Sequence, residues 1–125
     1  MNYNKSFNFL KNLPKKLNNF YKKNSKLSFR IDNKSKTIKD FDPVTNIDRG
    51  FEKYIRSLIH KSFPNDSIIG EEFEDKFSSS DYQWCIDPID GTRAFIIGAP
   101  TWSNLIGVSF QDKSILGLAN FPELD

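Results

Sequence analysis

Apolar residues recur at steps of three and four through the first two dozen positions, at Phe7, Leu10, Leu13, Leu17, Phe20 and Tyr21. That spacing predicts an amphipathic helix over 1–24. Lys15, Lys16, Lys22 and Lys23 decorate its other faces, and Pro14 either kinks it or starts a second helix. Residues 24–41 are polar and rich in Lys, Ser and Asp, which predicts a short strand at 27–31 and a mobile loop at 32–41. A second helical stripe follows at Phe51, Tyr54, Ile55, Leu58 and Ile59. Thr45 is its N-cap, Asp48 supplies the acid of a box-like start, and Pro64 ends the run. Residues 67–70 read as a strand leading into Glu71-Glu72, and 73–81 as an acidic, serine-rich loop. Residues 82–86 predict a buried strand, broken by Asp87-Pro88 and a turn at Asp90-Gly91. Residues 104–110 and 114–120 are β-rich and joined around Gln111-Asp112-Lys113, the pattern of a hairpin.

Composition narrows the class. Of 125 residues 38% are apolar, twelve of them Phe, which supplies a core and excludes wholesale disorder. The single cysteine, Cys85, excludes an intramolecular disulfide framework or a cysteine-built zinc site. Its place between Trp84 and Ile86 predicts core packing, as do the aromatic rings of Phe95 and Trp102. His60 falls on the polar flank of its helix, at the surface. No apolar run approaches the roughly 18 residues that span a bilayer, and Lys and Asn interrupt the first segment too often for a secretory signal. The cytoplasm is the expected compartment.

The net charge of +2 hides a split. Residues 1–39 hold eleven basic residues and one acid, a net of +10, whereas 40–125 carry −8. The basic segment is expected to be a solvated face. An RNA-contacting arm or a subunit contact are the other readings, and the RNA reading requires binding that falls steeply with salt.

Four of the acids stand at ends of regular elements: Asp48, Glu71, Asp87 and Asp90. Asp87 and Asp90 flank Pro88-Ile89, so both carboxylates can aim at one point with the Ile89 carbonyl between them. Hard oxygen ligands of this kind suit Mg²⁺. Gly91 and Thr92 follow at once, and their N–H groups would open a short helix able to hold an anion. Carboxylates holding metal beside an amide cradle are machinery for phosphate-ester hydrolysis.

These residues also carry a family pattern. Asp42-Pro43-Val44-Thr45-Asn46-Ile47-Asp48, Gly70-Glu71-Glu72 and Trp84-Cys85-Ile86-Asp87-Pro88-Ile89-Asp90-Gly91-Thr92 resemble, in order and spacing, the inositol monophosphatase family. Arg93-Ala94-Phe95 after Gly91-Thr92 is similar to the histidinol-phosphatase branch. The resemblance covers about residues 30–125, the N-terminal helix fitting by position.

The resemblance implies an α/β layered αβαβα sandwich of the inositol monophosphatase and fructose-1,6-bisphosphatase type, of which 1–125 is the N-terminal part and 42–125 the metal and phosphate core. It implies that Glu71, Asp87 and the Ile89 carbonyl hold a first Mg²⁺, and that Asp87 bridges to a second ion shared with Asp90; the complete protein would hold two or three. Asp48 would hydrogen-bond Thr92, and that pair, with Glu71, would activate water. Gly91 and Thr92 amides would grip the phosphate. Attack would be direct, without a phosphoenzyme, and lithium would inhibit.

A family lysine precedes the Asp-Pro-Val-Thr motif. Lys34, Lys36 and Lys39 compete for that place here, Lys34 being preferred by its Asp-Asn-Lys context. A further aspartate belongs to a C-terminal half absent from this sequence, which ends after the hairpin and reads as a truncation. The substrate implied is L-histidinol phosphate, converted to L-histidinol in histidine biosynthesis, with inositol 1-phosphate or a 3′-phosphonucleotide as same-class alternatives. A small phosphorylated metabolite is thus the expected partner, a homodimer is expected of the full-length form, and neither membrane nor nucleic acid is. From another class, the chain could be a truncated, catalytically inactive metal- or phosphate-binding relative. Either way the 125 residues alone are expected to be inactive.

Overall fold

The structure is a computed structural model that describes residues 3–24, 31–33 and 43–124, of which 31–33 and 43–44 are described by their backbone. Helix α1 (Tyr3–Asn24) is continuous through Pro14. Loss of the Pro14 N–H is tolerated because Leu13 and Leu17, on either side of it, are buried and hold the helix on the core. Inward positions are Ser6, Leu10, Leu13 and Leu17, at steps of four, three and four. Phe7, expected in that stripe, is exposed and stacks on Tyr3 instead, because Ser6 takes the inward phase. Phe9 packs inward, edge-on to Phe63 and Trp84.

Strands β1 (Ile31–Asn33) and β2 (Pro43–Thr45) form a small antiparallel ribbon in which Ile31 pairs with Thr45. Asp32 and Asn33 are therefore strand rather than loop. Of the strand expected at 27–31, residues 27–30 lie outside the described residues, as do 34–41 with Lys34, Lys36 and Lys39.

Helix α2 (Asn46–Ser62) starts at the Thr45 cap with a complete capping box. Phe51, Ile55 and Ile59 are its fully buried stripe, and Tyr54 and Leu58 pack at the margin. Strands β3 (Ser67–Gly70), β4 (Tyr82–Asp90), β5 (Ser103–Phe110) and β6 (Lys113–Asn120) make a sheet in that order, β3 parallel to β4 and the rest antiparallel. Helix α3 (Thr92–Ile96) follows β4. The loop after β3 is not wholly irregular, since Lys76 pairs back to Ile68 through two 2.8 Å hydrogen bonds. The β5–β6 hairpin turns at Gln111-Asp112, both at positive φ, as mirror-image hairpin turns require.

Helices α1 and α2 share one hydrophobic core with the sheet: Trp84 and Ile86 of β4 and Ile106 and Val108 of β5 meet Leu13, Leu17, Phe51 and Ile55. Alternation along the strands sends Ile69, Cys85 and Gly107 to the opposite face, where none of the described elements covers them. Cys85 is therefore exposed, not packed in the core as its neighbours suggested. Trp102 is buried and Phe95 packs edge-on to it at 5.1 Å, as expected, and His60 is at the surface. Among the described residues no helix is long and apolar enough to cross a membrane.

Two outcomes test this packing. Phe51→Ala should cost about 3–5 kcal/mol in urea unfolding, whereas Phe77→Ala, at a position 75% exposed, should stay within about 0.5 kcal/mol. Tyr21, edge-on to Trp102, donates its hydroxyl to Glu123 just beyond β6. Burial, then the hydrogen bond to that carboxylate, pushes its pKa from 10.0 up to about 12. The folded state thus favours the neutral phenol, a contribution intact below pH 10.0 and lost as pH rises through about 12. Ultraviolet titration of tyrosinate should show one late step, absent in Tyr21→Phe.

Candidate active site

The site is built where α2, β3 and β4 present their ends to one another. Asp48, third residue of α2, is 1% exposed. One carboxylate oxygen, Oδ1, accepts the Thr45 N–H at 2.8 Å and the Thr45 hydroxyl, while Thr45 Oγ1 accepts the Asp48 N–H at 3.1 Å. The other oxygen, Oδ2, lies 3.1 Å from Thr92 Oγ1, which is also 3.1 Å from the Ile89 carbonyl. A hydroxyl has one proton to donate, so Thr92 divides it between a carboxylate and a carbonyl. The third residue of α2 and the first residue of α3 are thereby joined across 44 positions.

Parallel pairing of β3 and β4 matches Ile69 with Cys85 and Gly70 with Ile86. Glu71 follows β3 directly, and Asp87 continues β4 beyond that last pair. They line one cavity of about 620 Å³ with Ile69, Cys85, Leu105 and Gly107. Glu71 is exposed and Asp87 half-buried.

Strand β4 does not break at Asp87-Pro88, as the sequence suggested, but runs on to Asp90 across a bulge. Asp87 pairs with Leu105 and Asp90 with Ser103, so β4 carries one extra residue. Pro88, lacking an N–H, is accommodated there, and its carbonyl accepts the Asn104 side-chain amide at 2.6 Å. The extra residue reverses the alternation, leaving Ile89 buried and Asp90 exposed. Asp90 does not line the cavity of Glu71 and Asp87, and among the described residues no three His, Cys, Asp or Glu side chains converge as a metal-holding group. Gly91 caps α3 at φ +84°, a left-handed conformation that a Cβ would strain, and its carbonyl accepts the Phe95 N–H at 3.0 Å.

Among the buried polar groups that the sequence reading passed over, two bear on the site. Glu52 is fully buried, and its carboxylate accepts the N–H groups of Glu72 (2.8 Å) and Phe73 (3.0 Å) together with Arg56 Nε (2.9 Å). Its signal was present: Asp48, Glu52, Ile55 and Ile59 share one helix face, so an acid lay in line with the core. Asn104 is the second, tied through Asn120 to Asn18 of α1. Nothing in the strand pattern distinguished it from a surface asparagine.

Removing the Asp48 carboxylate strands buried donors, which costs about 1–3 kcal/mol each. Asp48→Ala should therefore lower the urea midpoint clearly, and Asp48→Asn, which keeps one acceptor, should lower it less. Equal midpoints for wild type and Asp48→Ala would contradict the buried bonds.

The chain resembles known proteins in sequence and in fold. The family model described as inositol monophosphatase family matches residues 5–125. The histidinol-phosphatase of Chlorobaculum parvum is 44% identical over 86 residues, covering 69% of this chain and 33% of that protein. The Nus factor SuhB of Haemophilus influenzae is 39% identical over 111 residues, covering 86% of this chain and 40% of that protein. The chain thus spans well under half the length of the curated relatives it matches. An IMPase/NADP phosphatase solved with Mg²⁺ and phosphate superposes with a TM-score of 0.74 at 18% identity, over 87% of this chain and 41% of that one, which is a likeness of fold. By the family match over residues 5–125 and relatives of 39–44% identity, the chain belongs to the inositol monophosphatase family of phosphatases.

Proposed function

We propose that the protein hydrolyses a small phosphomonoester in a Mg²⁺-dependent reaction, with L-histidinol phosphate as substrate. The observation that carries this reading is the contact between Thr92 and Asp48, 3.1 Å apart, beside a cavity that Glu71 and Asp87 both line. The relatives named histidinol-phosphatase, at 35–44% identity, and the Arg93-Ala94-Phe95 sequence favour that substrate.

The donors suit a hard divalent cation: Glu71, Asp87 and Asp90 offer carboxylates and Ile89 a carbonyl, all oxygen. The Ile89 oxygen accepts from Thr92 yet keeps a second lone pair. When bound, the cation supplies Lewis acidity, lowering the pKa of water and offsetting phosphoryl charge. The remaining work falls to the chain. Asp48, fixed by its capping box, holds the Thr92 hydroxyl so that its oxygen can accept a proton-donating contact from the attacking water. Glu71 is the second group placed to orient that water. The N–H groups of Gly91 and Thr92 bind the phosphate oxygens, and a lysine among Lys34, Lys36 and Lys39 approaches them.

Turnover belongs, on this reading, to a protein of the relatives' length, and the 125 residues alone are expected to release phosphate at background. The partner is a phosphorylated small molecule, and the full-length form is a homodimer in the cytoplasm. The test is phosphate release by the full-length protein with histidinol phosphate, inositol 1-phosphate and a 3′-phosphonucleotide. Histidinol phosphate should be preferred, and Asp87→Asn should lower the rate by at least about 100-fold, since metal stabilisation is worth several kcal/mol. Preference for another ester would move the substrate assignment, and an unchanged rate in Asp87→Asn would remove the metal assignment. Mg²⁺-dependent turnover by the 125-residue chain would overturn the expectation of inactivity.

A further inference from the structure

Glu71 is exposed and stands on a short turn after β3, at the cavity that Asp87 also lines. The groups that grip this turn come from α2. Glu52, fully buried, spreads its carboxylate under the turn: Oε1 takes the Glu72 N–H at 2.8 Å, and Oε2 takes the Phe73 N–H at 3.0 Å. Arg56, one helical turn on, closes the arrangement with Nε on Glu52 Oε2 at 2.9 Å and Nη2 on the Phe73 carbonyl at 3.2 Å. The buried charge is therefore paired and hydrogen-bonded, as its burial demands.

The sequence of the turn carries an independent mark of the same contact. A Cβ at Gly70 would lie 2.5 Å from the Glu52 carboxyl carbon, closer than real Cβ atoms come. Gly70 has no positive φ to explain it. Its lack of a side chain is what lets the carboxylate reach past Gly70 to the two amides beyond.

We propose that Glu52 is a positioning residue for the cation site: it templates the turn through Phe73 so that Glu71 is delivered to the cavity facing Asp87. This rests on the assignment of Glu71 and Asp87 as cation ligands made above. Asp48 and Glu52 then form one device, two buried acids a helical turn apart on α2, one holding Thr92 and the other holding the Glu71 turn. Outer partners of metal ligands characteristically change affinity by about 10–100-fold when removed, and that is the effect expected here.

The test is Mn²⁺ binding to the 125-residue chain, followed by electron paramagnetic resonance of the free ion, with circular dichroism recording the fold of each variant. Wild type should bind, Glu71→Gln should abolish binding, and Glu52→Gln should weaken it by about 10–100-fold while the protein is folded. Phe73→Pro deletes one of the two amide clasps from an exposed position and leaves Glu52 in place, so it should weaken binding in the same direction even if Glu52→Gln does not fold. Glu74→Gln, exposed on the same loop, should bind as wild type. A merely structural Glu52 would lower the melting temperature and leave the affinity of the folded protein unchanged. Loss of binding in Glu71→Gln with wild-type affinity in both Phe73→Pro and any folded Glu52→Gln would overturn the positioning role alone. Absence of binding in wild type, or unchanged binding in Glu71→Gln, would overturn the ligand assignment beneath it.

Discussion

A carboxylate removed from water must find donors, and the arrangement of this protein follows from where two such groups find theirs. Asp48 and Glu52 are 1% and 0% exposed, on the face of α2 that also carries Ile55 and Ile59. Neither can be satisfied by the helix alone. Asp48 takes the Thr45 cap behind it and Thr92 ahead of it. Glu52 takes Arg56 and the amides that follow β3. Hydrophobic burial presses α2 onto the sheet, but it is non-directional. The two acids add direction: Asp48 reaches Thr92, and Glu52 reaches the turn that follows Glu71.

The sheet supplies the complementary constraint. Parallel pairing of β3 with β4 carries both strands to the cavity that Glu71 and Asp87 line, and the bulge in β4 changes the face on which later residues emerge. The Asp-Pro-Ile-Asp spacing has a mechanical meaning in this light. Two acids three residues apart point opposite ways in a regular strand, and one inserted residue undoes that. Pro88 fits because the position needs no N–H, and Asn104 holds the Pro88 carbonyl from the neighbouring strand.

Much of this was legible in the residues. The α2 stripe, the Thr45 cap, the β3 strand and the hairpin all have local signatures, and they formed as expected. The motifs at Asp48, Glu71, Asp87 and Thr92 pointed to one site because oxygen donors beside Gly91 suggest phosphate chemistry. What escaped depends on contacts distant in sequence. The continuation of β4 past Pro88 relies on Asn104, and the exposure of Cys85 on which sheet face the helices cover. Phe7 fell out of the stripe because helical phase, set by Leu10 and Leu13, favoured Ser6 over a larger neighbour. Glu52 stands on the inward face of α2, but the amides that make its burial possible lie twenty residues on.

The central claim is that Glu71 and Asp87, which line one cavity, share a divalent cation. Anomalous diffraction at the manganese edge, from crystals of this chain grown with Mn²⁺, tests it most directly. The account predicts a peak bounded by the Glu71 and Asp87 carboxylates and within reach of the Ile89 carbonyl. A peak elsewhere, or Glu71 and Asp87 pointing apart with no peak between them, would contradict it.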